Sequence, residues 1–132
     1  MKIGVITDIH SNVVALNAVL QKFRDERCGG VTCCGDIIGI GVYPEKTVSA
    51  IMKIPNLMAC VSGNHERYFT EGMPSEVPNH EKMSAEEMAH HKWEHALLSE
   101  RSRDFISGLK YEESLVVGGK RLYVAHYAMG EN

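Results

Sequence analysis

The chain has 132 residues, of which 44% are hydrophobic and 23% are charged, and its net charge is −3. This length and composition indicate one folded domain over residues 1–132 and argue against general disorder. No segment is apolar for long enough to span a bilayer, and the apolar run at the N-terminus is too short for a signal peptide. We therefore expect a cytoplasmic protein without a membrane partner. Nucleic acid is not indicated as a partner either, because the sequence shows no basic stripe.

The first half of the chain alternates short β-branched runs with helical patterns. The spacing predicts strands at residues 2–7, 31–34 and 57–61, the first of them buried, and helices at about 11–27 and from Pro44 to about 53. Ser11 or Asn12 can cap the first helix. Such alternation predicts a parallel sheet, and sites on these sheets lie beyond the C-terminal ends of the strands.

The second half is less regular. Residues 66–79 contain Gly and Pro and are predicted to form an irregular loop, either a lid or a plain connection. Two helices, at about 81–98 and about 102–109, and a hairpin of residues 115–117 and 121–125 are predicted to follow. In the longer helix we expect His90, His91 and His95 on the surface, with Trp93 and Leu97 packed inward; His80 is expected in a loop or at the helix start.

Polar residues follow each of the first three predicted strands. Asp8 and His10 follow the first, Asp36 follows the second, and Asn64 and His65 follow the third. Each carboxylate or amide has a plain structural alternative, as a helix cap or a turn residue. Three such clusters at one edge of a sheet favour a metal centre, because ligands must converge in space. Mixed oxygen and imidazole ligands suit Mn, Fe, Zn or Ni better than Ca or Mg.

Three motifs together resemble the signature blocks of the calcineurin-like metallophosphoesterases: Asp8-x-His10, Gly35-Asp36-x-x-Gly39 and Gly63-Asn64-His65-Glu66. The longer run Asp8-Ile9-His10-Ser11-Asn12 is similar to the small prokaryotic phosphodiesterase branch. The resemblance implies an α/β fold in which two facing mixed β-sheets form a sandwich flanked by helices. The fold would be C-terminally incomplete here, because the family's closing Gly-His-x-His block is absent.

The resemblance also implies a role for each residue. Asp8 and His10 would bind a first metal, Asp36 would bridge two metals, Asn64 and His126 would bind the second, and His65 would act as general acid, with Asn64 and His65 also holding the phosphate. The cofactors would be two divalent ions, with manganese expected first and iron, zinc or nickel as alternatives. A metal-bridged hydroxide would then attack the phosphorus of a phosphodiester or phosphomonoester.

The resemblance leaves several functions open. Gly39 and Ile40 stand where protein serine/threonine phosphatases have an Asp-Arg pair, which disfavours a protein substrate. The expected substrate is a small phosphate ester or a nucleotide, such as a dinucleoside polyphosphate or a cyclic nucleotide. The alternative is a non-catalytic binding scaffold of the same fold, and the presence of His65 favours the enzyme. An exposed sheet edge would also favour a homo-oligomer.

Overall fold

A computed structural model of the chain describes residues 1–73 and 83–127, which contain five strands and five helices. The strands are β1 (Ile3–Ile6), β2 (Gly30–Cys33), β3 (Leu57–Cys60), β4 (Glu112–Val117) and β5 (Lys120–Ala125). The helices are α1 (Val13–Asp25), α2 (Pro44–Met52), α3 (Asn64–Thr70), α4 (Ala85–Ala96) and α5 (Glu100–Ser107). None of the helices in these ranges has the length and apolar character needed to cross a bilayer.

The first half forms the predicted parallel sheet, in the order β1-β2-β3. Cys33 lies opposite both Ile6 of β1 and Cys60 of β3, so the three strand ends are aligned at one edge. Asn12, one of the two predicted caps, accepts a hydrogen bond from the Ala15 N–H (3.0 Å) and begins α1. Because β1, β2 and β3 all run the same way, the loops that follow them meet at the same edge.

The two faces of the parallel sheet are covered differently. Cys33 and Cys60 face a core that includes Leu16 of α1, Ile51 of α2 and Ile106 of α5. On the opposite face, the antiparallel β4–β5 hairpin covers part of the sheet. Its Val124 and Leu115 pack against Ala59 and Val61, and Cys34 joins this cluster.

The prediction of a buried first strand was wrong for one face of β1. Val5 is 61% exposed, because the hairpin packs over β2 and β3 rather than over this edge strand. A short β-branched run has the same composition whether one face or both are covered, so the sequence could not separate the two cases. Self-association through the exposed edge stays a prediction.

The predicted irregular loop at residues 66–79 was wrong in its first part, because α3 extends to Thr70. Gly63 precedes this helix, and the Glu66 carboxylate accepts the Gly63 N–H (2.9 Å), which is the glutamate half of a capping box. Residues 74–79 of the predicted loop lie outside the described residues. The same is true of residues 81–82 at the predicted start of the next helix, and of His80.

The predicted orientation of α4 was also wrong. His91 is only 4% exposed, whereas Trp93 and Leu97 are 47% and 46% exposed. The buried residues of α4 are Met88, His91 and Glu94, so its inward face is mainly polar. A hydrophobic pattern fails here because α4 packs against polar loops rather than against the apolar core.

Candidate metal centre

Backbone pairing continues beyond the ends of β1 and β2 and brings their loops together. The Asp8 N–H donates to the Gly35 carbonyl (3.1 Å), and the His10 N–H donates to the Asp36 carbonyl (3.0 Å). The Ser11 N–H donates in the same way to the Ile37 carbonyl (2.8 Å). The side chains of Asp8 and His10 therefore lie next to that of Asp36.

Several residues in these loops have positive φ angles, which residues other than glycine rarely adopt. Positive φ values occur at Asp8 (56°), His10 (49°), Ser11 (57°), Asp36 (54°) and Ile40 (69°). Each such residue costs of the order of 1–3 kcal/mol and persists only where its surroundings hold it in place. This concentration of strain at one edge of the sheet is typical of a functional site.

Asp36 lies at the middle of the converging side chains and is only 4% exposed. Its Oδ2 is 3.4 Å from His126 Nε2, 3.8 Å from His10 Nε2 and 4.0 Å from His65 Nε2. His10 Nε2 is in turn 3.7 Å from Asp8 Oδ1. Two groups of candidate ligands share Asp36, one with His10 and His65 and the other with Asp8 and His126, and within each group the ligand atoms lie within 4.8 Å of one another.

Asn64 brings an oxygen to the same place. Its Nδ2 donates to the Tyr68 hydroxyl (3.3 Å), which turns Oδ1 towards the two Asp36 carboxylate oxygens (3.1 and 3.2 Å) and His126 Nε2 (3.2 Å). Oδ1 thus faces other hydrogen-bond acceptors, which is unfavourable. Two arrangements would remove this repulsion: the amide is flipped so that its nitrogen donates to them, or a cation lies among the acceptors. Both arrangements keep the contact with Tyr68, because its hydroxyl can accept or donate a hydrogen bond. With Oδ1 turned towards Asp36 and His126, the amide, carboxylate and imidazole form a set of ligands that fits a divalent cation.

We call the set of Asp8, His10, Asp36, Asn64, His65 and His126 the Asp36 centre; it contains every site residue predicted from the sequence. Two of its imidazoles are oriented through their other nitrogen. His126 Nδ1 contacts the Cys34 carbonyl (2.8 Å), and His10 Nδ1 contacts the Ile38 carbonyl (3.3 Å). A carbonyl partner requires Nδ1 to carry the proton, so Nε2 of each ring presents a lone pair to the centre.

The charge state of Asp36 depends on its surroundings. Burial raises the pKa of Asp36, while the His65 N–H (3.1 Å from Oδ1) and the nearby His126 and His10 act to lower it. A cation at the centre would favour the ionised carboxylate further, because opposite charges a few ångströms apart attract.

Glu66 is a structural residue of the centre whose role the sequence did not reveal. It is 0% exposed, and its carboxylate accepts the N–H groups of Asp36 (2.7 Å), Ile37 (2.9 Å), Ile38 (3.2 Å) and Gly63 (2.9 Å). Burial raises the pKa of Glu66 to about 7, against the lowering effect of these donors. Glu66 thus joins the loop after β2 to the start of α3. Its spacing of three residues from Gly63 was the signal that could have identified it.

Glu94 of α4 is a second buried carboxylate that the sequence did not identify. It is 0% exposed and accepts hydrogen bonds from the Ser11 hydroxyl (2.9 Å) and the Gly39 N–H (2.8 Å). Its other oxygen is 3.0 Å from His90 Nε2. Glu94 therefore holds α4 against two loops of the centre. Only its spacing of four residues from His90 could have suggested this, and such pairs are common on exposed helix faces.

Two glycines allow the loops to approach each other. A Cβ on Gly39, which has φ +92°, would lie 2.1 Å from His65 Nδ1. A Cβ on Gly63 would lie 2.2 Å from Asp36 Oδ1. Any side chain at either position would displace a residue of the Asp36 centre.

His91 packs behind His65, with a ring-centroid separation of 5.0 Å. Burial, together with the nearby His65, lowers the pKa of His91 to about 4, so its ring is neutral near pH 7. His65 is therefore enclosed by a neutral ring on one side and by Gly39 on another.

The chain is similar to one protein family and to several known proteins. The family model of the calcineurin-like phosphoesterase superfamily domain matches residues 1–132. The uncharacterized protein MJ0912 of Methanocaldococcus jannaschii is 44% identical over 64 residues, which are 48% of this chain and 26% of that protein.

Two solved structures are similar in fold. A metallophosphoesterase from Sphaerobacter thermophilus has a TM-score of 0.64 and 27% identity, over 86% of this chain and 43% of that one. The hypothetical protein PH1004 of Pyrococcus horikoshii has a TM-score of 0.76 and 18% identity, over 92% of this chain and 52% of that one. The chain thus spans about a quarter to a half of the length of these relatives. The chain belongs to the calcineurin-like phosphoesterase superfamily, whose members typically bind divalent metals and hydrolyse phosphoesters.

Proposed function

We propose that the Asp36 centre hydrolyses phosphodiester or phosphomonoester bonds with two divalent cations, of which manganese is the first candidate. The observation that carries this proposal is the sharing of Asp36 between two groups of candidate ligands. A buried carboxylate with imidazoles on several sides is the arrangement that a bridging ligand requires.

Following the family resemblance, the first cation would be held by Asp8, His10 and Asp36, and the second by Asp36, Asn64 and His126. Of the two geometric groups, this division keeps the shared Asp36, but it places Asp8 and His126 on different cations and gives His65 another role. The carbonyl contacts of His10 and His126 support these roles, since they point Nε2 of both rings at the centre. When bound, two such ions supply Lewis-acid stabilisation of the phosphoryl oxygens and lower the pKa of an attacking water. The protein's own contribution is to fix the ligands before substrate arrives.

His65 is proposed as the general acid that protonates the leaving oxygen, and together with Asn64 it would hold the phosphate. Its Nε2 is 4.0 Å from Asp36 Oδ2, at the margin of the ligand set. Its backbone N–H donates to Asp36 Oδ1 (3.1 Å), which ties the acid to the bridging residue. An imidazole is suited to this role because its ordinary pKa lies near neutrality.

The test is hydrolysis of bis-p-nitrophenyl phosphate with added Mn²⁺, for wild type, Asp36→Asn and His65→Gln. Asp104→Asn, an exposed carboxylate on α5, makes the same chemical change away from the centre. We expect Asp36→Asn to lose about 100-fold or more of the turnover together with Mn²⁺ binding. His65→Gln should lose about 10²–10⁴-fold but keep Mn²⁺ binding.

Asp104→Asn should behave as wild type in both measurements. Turnover that is equal in wild type and Asp36→Asn would contradict the proposal. Mn²⁺ binding without any turnover in the wild-type chain would instead favour the non-catalytic scaffold.

A further inference from the structure

A cavity of about 600 Å³ lies between α3 and α4 and opens next to His65 and Asn64. This volume falls within the range of about 300–1,000 Å³ that is usual for small-molecule sites. It is larger than a phosphate group needs. Because His65 lines the cavity and also faces the Asp36 centre, the cavity lies on the side where a leaving group would depart.

The lining of this cavity is apolar and acidic. Ile40, Tyr68 and Met83 provide apolar surface, and Glu86 and Glu87 of α4 provide two carboxylates. Among the lining residues that the structure describes, none is Lys or Arg. Among these described residues, an anionic group would meet two carboxylates and neither Lys nor Arg, and like charges within a few ångströms repel.

Ile40 is a second, independent feature of the cavity. It is 62% exposed and has φ 69°, which is exceptional for a β-branched residue. The Gly41 N–H donates to the Gly39 carbonyl (2.7 Å), so Ile40 is the central residue of a tight γ-turn with positive φ. His90 Nε2 contacts the Gly41 carbonyl (2.9 Å) and ties this turn to α4. A strained turn that presents an apolar side chain at the cavity suggests contact with an organic group.

We propose that the cavity binds the leaving group of the substrate, and that this group is organic and uncharged or, preferably, cationic. The inference rests on the proposed function and specifies its substrate class. In the hydrolysis, the phosphorus–oxygen bond to the leaving group breaks and a new bond forms to the oxygen of water. The attacking water loses a proton to solvent, and the departing oxygen takes a proton from His65 and leaves as an alcohol held in the cavity. His65 then regains a proton from solvent. Polyphosphates, and esters whose leaving group carries a carboxylate or a phosphate, are disfavoured substrates.

The test measures binding of three phosphomonoesters to the Mn²⁺-loaded chain by isothermal titration calorimetry. Phosphocholine carries a cationic group, glycerol 3-phosphate a neutral one and 3-phosphoglycerate an anionic one. We expect affinity to fall in that order, by about tenfold from first to last, since each exposed carboxylate contributes up to about 1 kcal/mol to an ion pair. In the double variant Glu86→Gln, Glu87→Gln, the difference in affinity between phosphocholine and 3-phosphoglycerate should shrink to about twofold.

The matched control is Glu100→Gln, Asp104→Asn, which removes two exposed carboxylates from α5 and should leave the wild-type order unchanged. Mn²⁺ titration without any phosphate ester reports on the proposed function alone, so a chain that binds no Mn²⁺ would overturn both proposals. A Mn²⁺-loaded chain that binds the three esters equally, or binds none of them, would overturn only this inference. A preference for phosphocholine that persists in the Glu86/Glu87 variant would overturn it as well.

Discussion

The loops of the Asp36 centre and the β4–β5 hairpin differ in how their residues are held. The loops donate hydrogen bonds to Glu66 of α3 and Glu94 of α4, which are both fully buried. In the hairpin, burial alternates along both strands, and Val116 and Tyr123 are 68% and 49% exposed. The loops are therefore fixed by buried polar contacts, while the hairpin depends on cross-strand pairing and on a small apolar contact with β3.

This difference matters because both regions supply the centre. Asp8, His10 and Asp36 lie in the loops after β1 and β2, and Asn64 and His65 begin α3, whereas His126 follows β5. The hairpin reaches the sheet through Val124, which is 5% exposed, and through the His126 contact with the Cys34 carbonyl. Most of the centre thus lies on firmly held segments, and only one proposed ligand follows the hairpin. We therefore expect changes in the loops to harm the centre more than changes in the hairpin.

The largest effect is expected from Glu66→Ala. This change leaves the N–H groups of Asp36, Ile37, Ile38 and Gly63 buried without the carboxylate. We expect the free energy of unfolding to fall by about 3–5 kcal/mol, because several buried N–H donors lose their acceptor together. Urea denaturation measures this, with Glu100→Ala on α5 as the control for an exposed glutamate. A loss below about 1 kcal/mol would show that Glu66 does not hold the loops.

A matched pair of glycine substitutions compares the two regions directly. Gly39 and Gly118 both have positive φ, +92° and +56°, but a Cβ on Gly39 would meet His65 whereas a Cβ on Gly118 would meet nothing within 4 Å. We expect Gly39→Ala to destabilise the chain by about 2–3 kcal/mol and to weaken Mn²⁺ binding. Gly118→Ala should cost about 1 kcal/mol and leave Mn²⁺ binding unchanged. Equal effects on Mn²⁺ binding would remove the distinction between loops and hairpin.

The smallest effect is a loss of stability in acid that originates in α4. Burial lowers the pKa of His95 to about 4, and Phe69 packs against its ring at 5.3 Å. Since the folded pKa lies below the ordinary value of 6.5, the unfolded chain binds more protons between these values, so stability is full above pH 6.5 and falls as pH drops towards 4. With allowance for partial exposure, His95 should account for about 1 kcal/mol between pH 7 and pH 5.

Urea denaturation at pH 7 and pH 5 checks this contribution in wild type and His95→Gln. The variant should lose less stability on acidification than the wild-type chain. An identical pH dependence in the two proteins would show that His95 is not the source.

Elements that pack through apolar side chains were predicted from the sequence, whereas those that pack through polar contacts were not. The parallel sheet, α1, α2 and the hairpin turn follow from hydrophobic periodicity and from Pro and Gly positions, so they were predicted closely. All six residues of the Asp36 centre were predicted to lie together, because each follows a strand end or belongs to a recognisable motif. Their individual roles stay predictions.

The roles of Glu94 and His91 could not be predicted, because α4 buries them against loops from distant parts of the chain. Glu94 contacts Ser11 across 83 sequence positions and Gly39 across 55. A helix that packs through such polar contacts has a hydrophobic pattern that points the wrong way, and this is why Trp93 and Leu97 were expected inside. The exposed face of β1 escaped prediction for a related reason, since coverage by another element is not a local property.

The most direct test of the account is the number of Mn²⁺ ions that the chain binds, measured by equilibrium dialysis and elemental analysis. If Asp36 bridges two cations, wild type should bind two ions per chain, and Asp36→Asn should lose both or retain only one, weakly. Asp104→Asn should bind as wild type does. Equal Mn²⁺ binding by wild type and Asp36→Asn would contradict the central claim that Asp36 is the shared ligand of a two-cation centre.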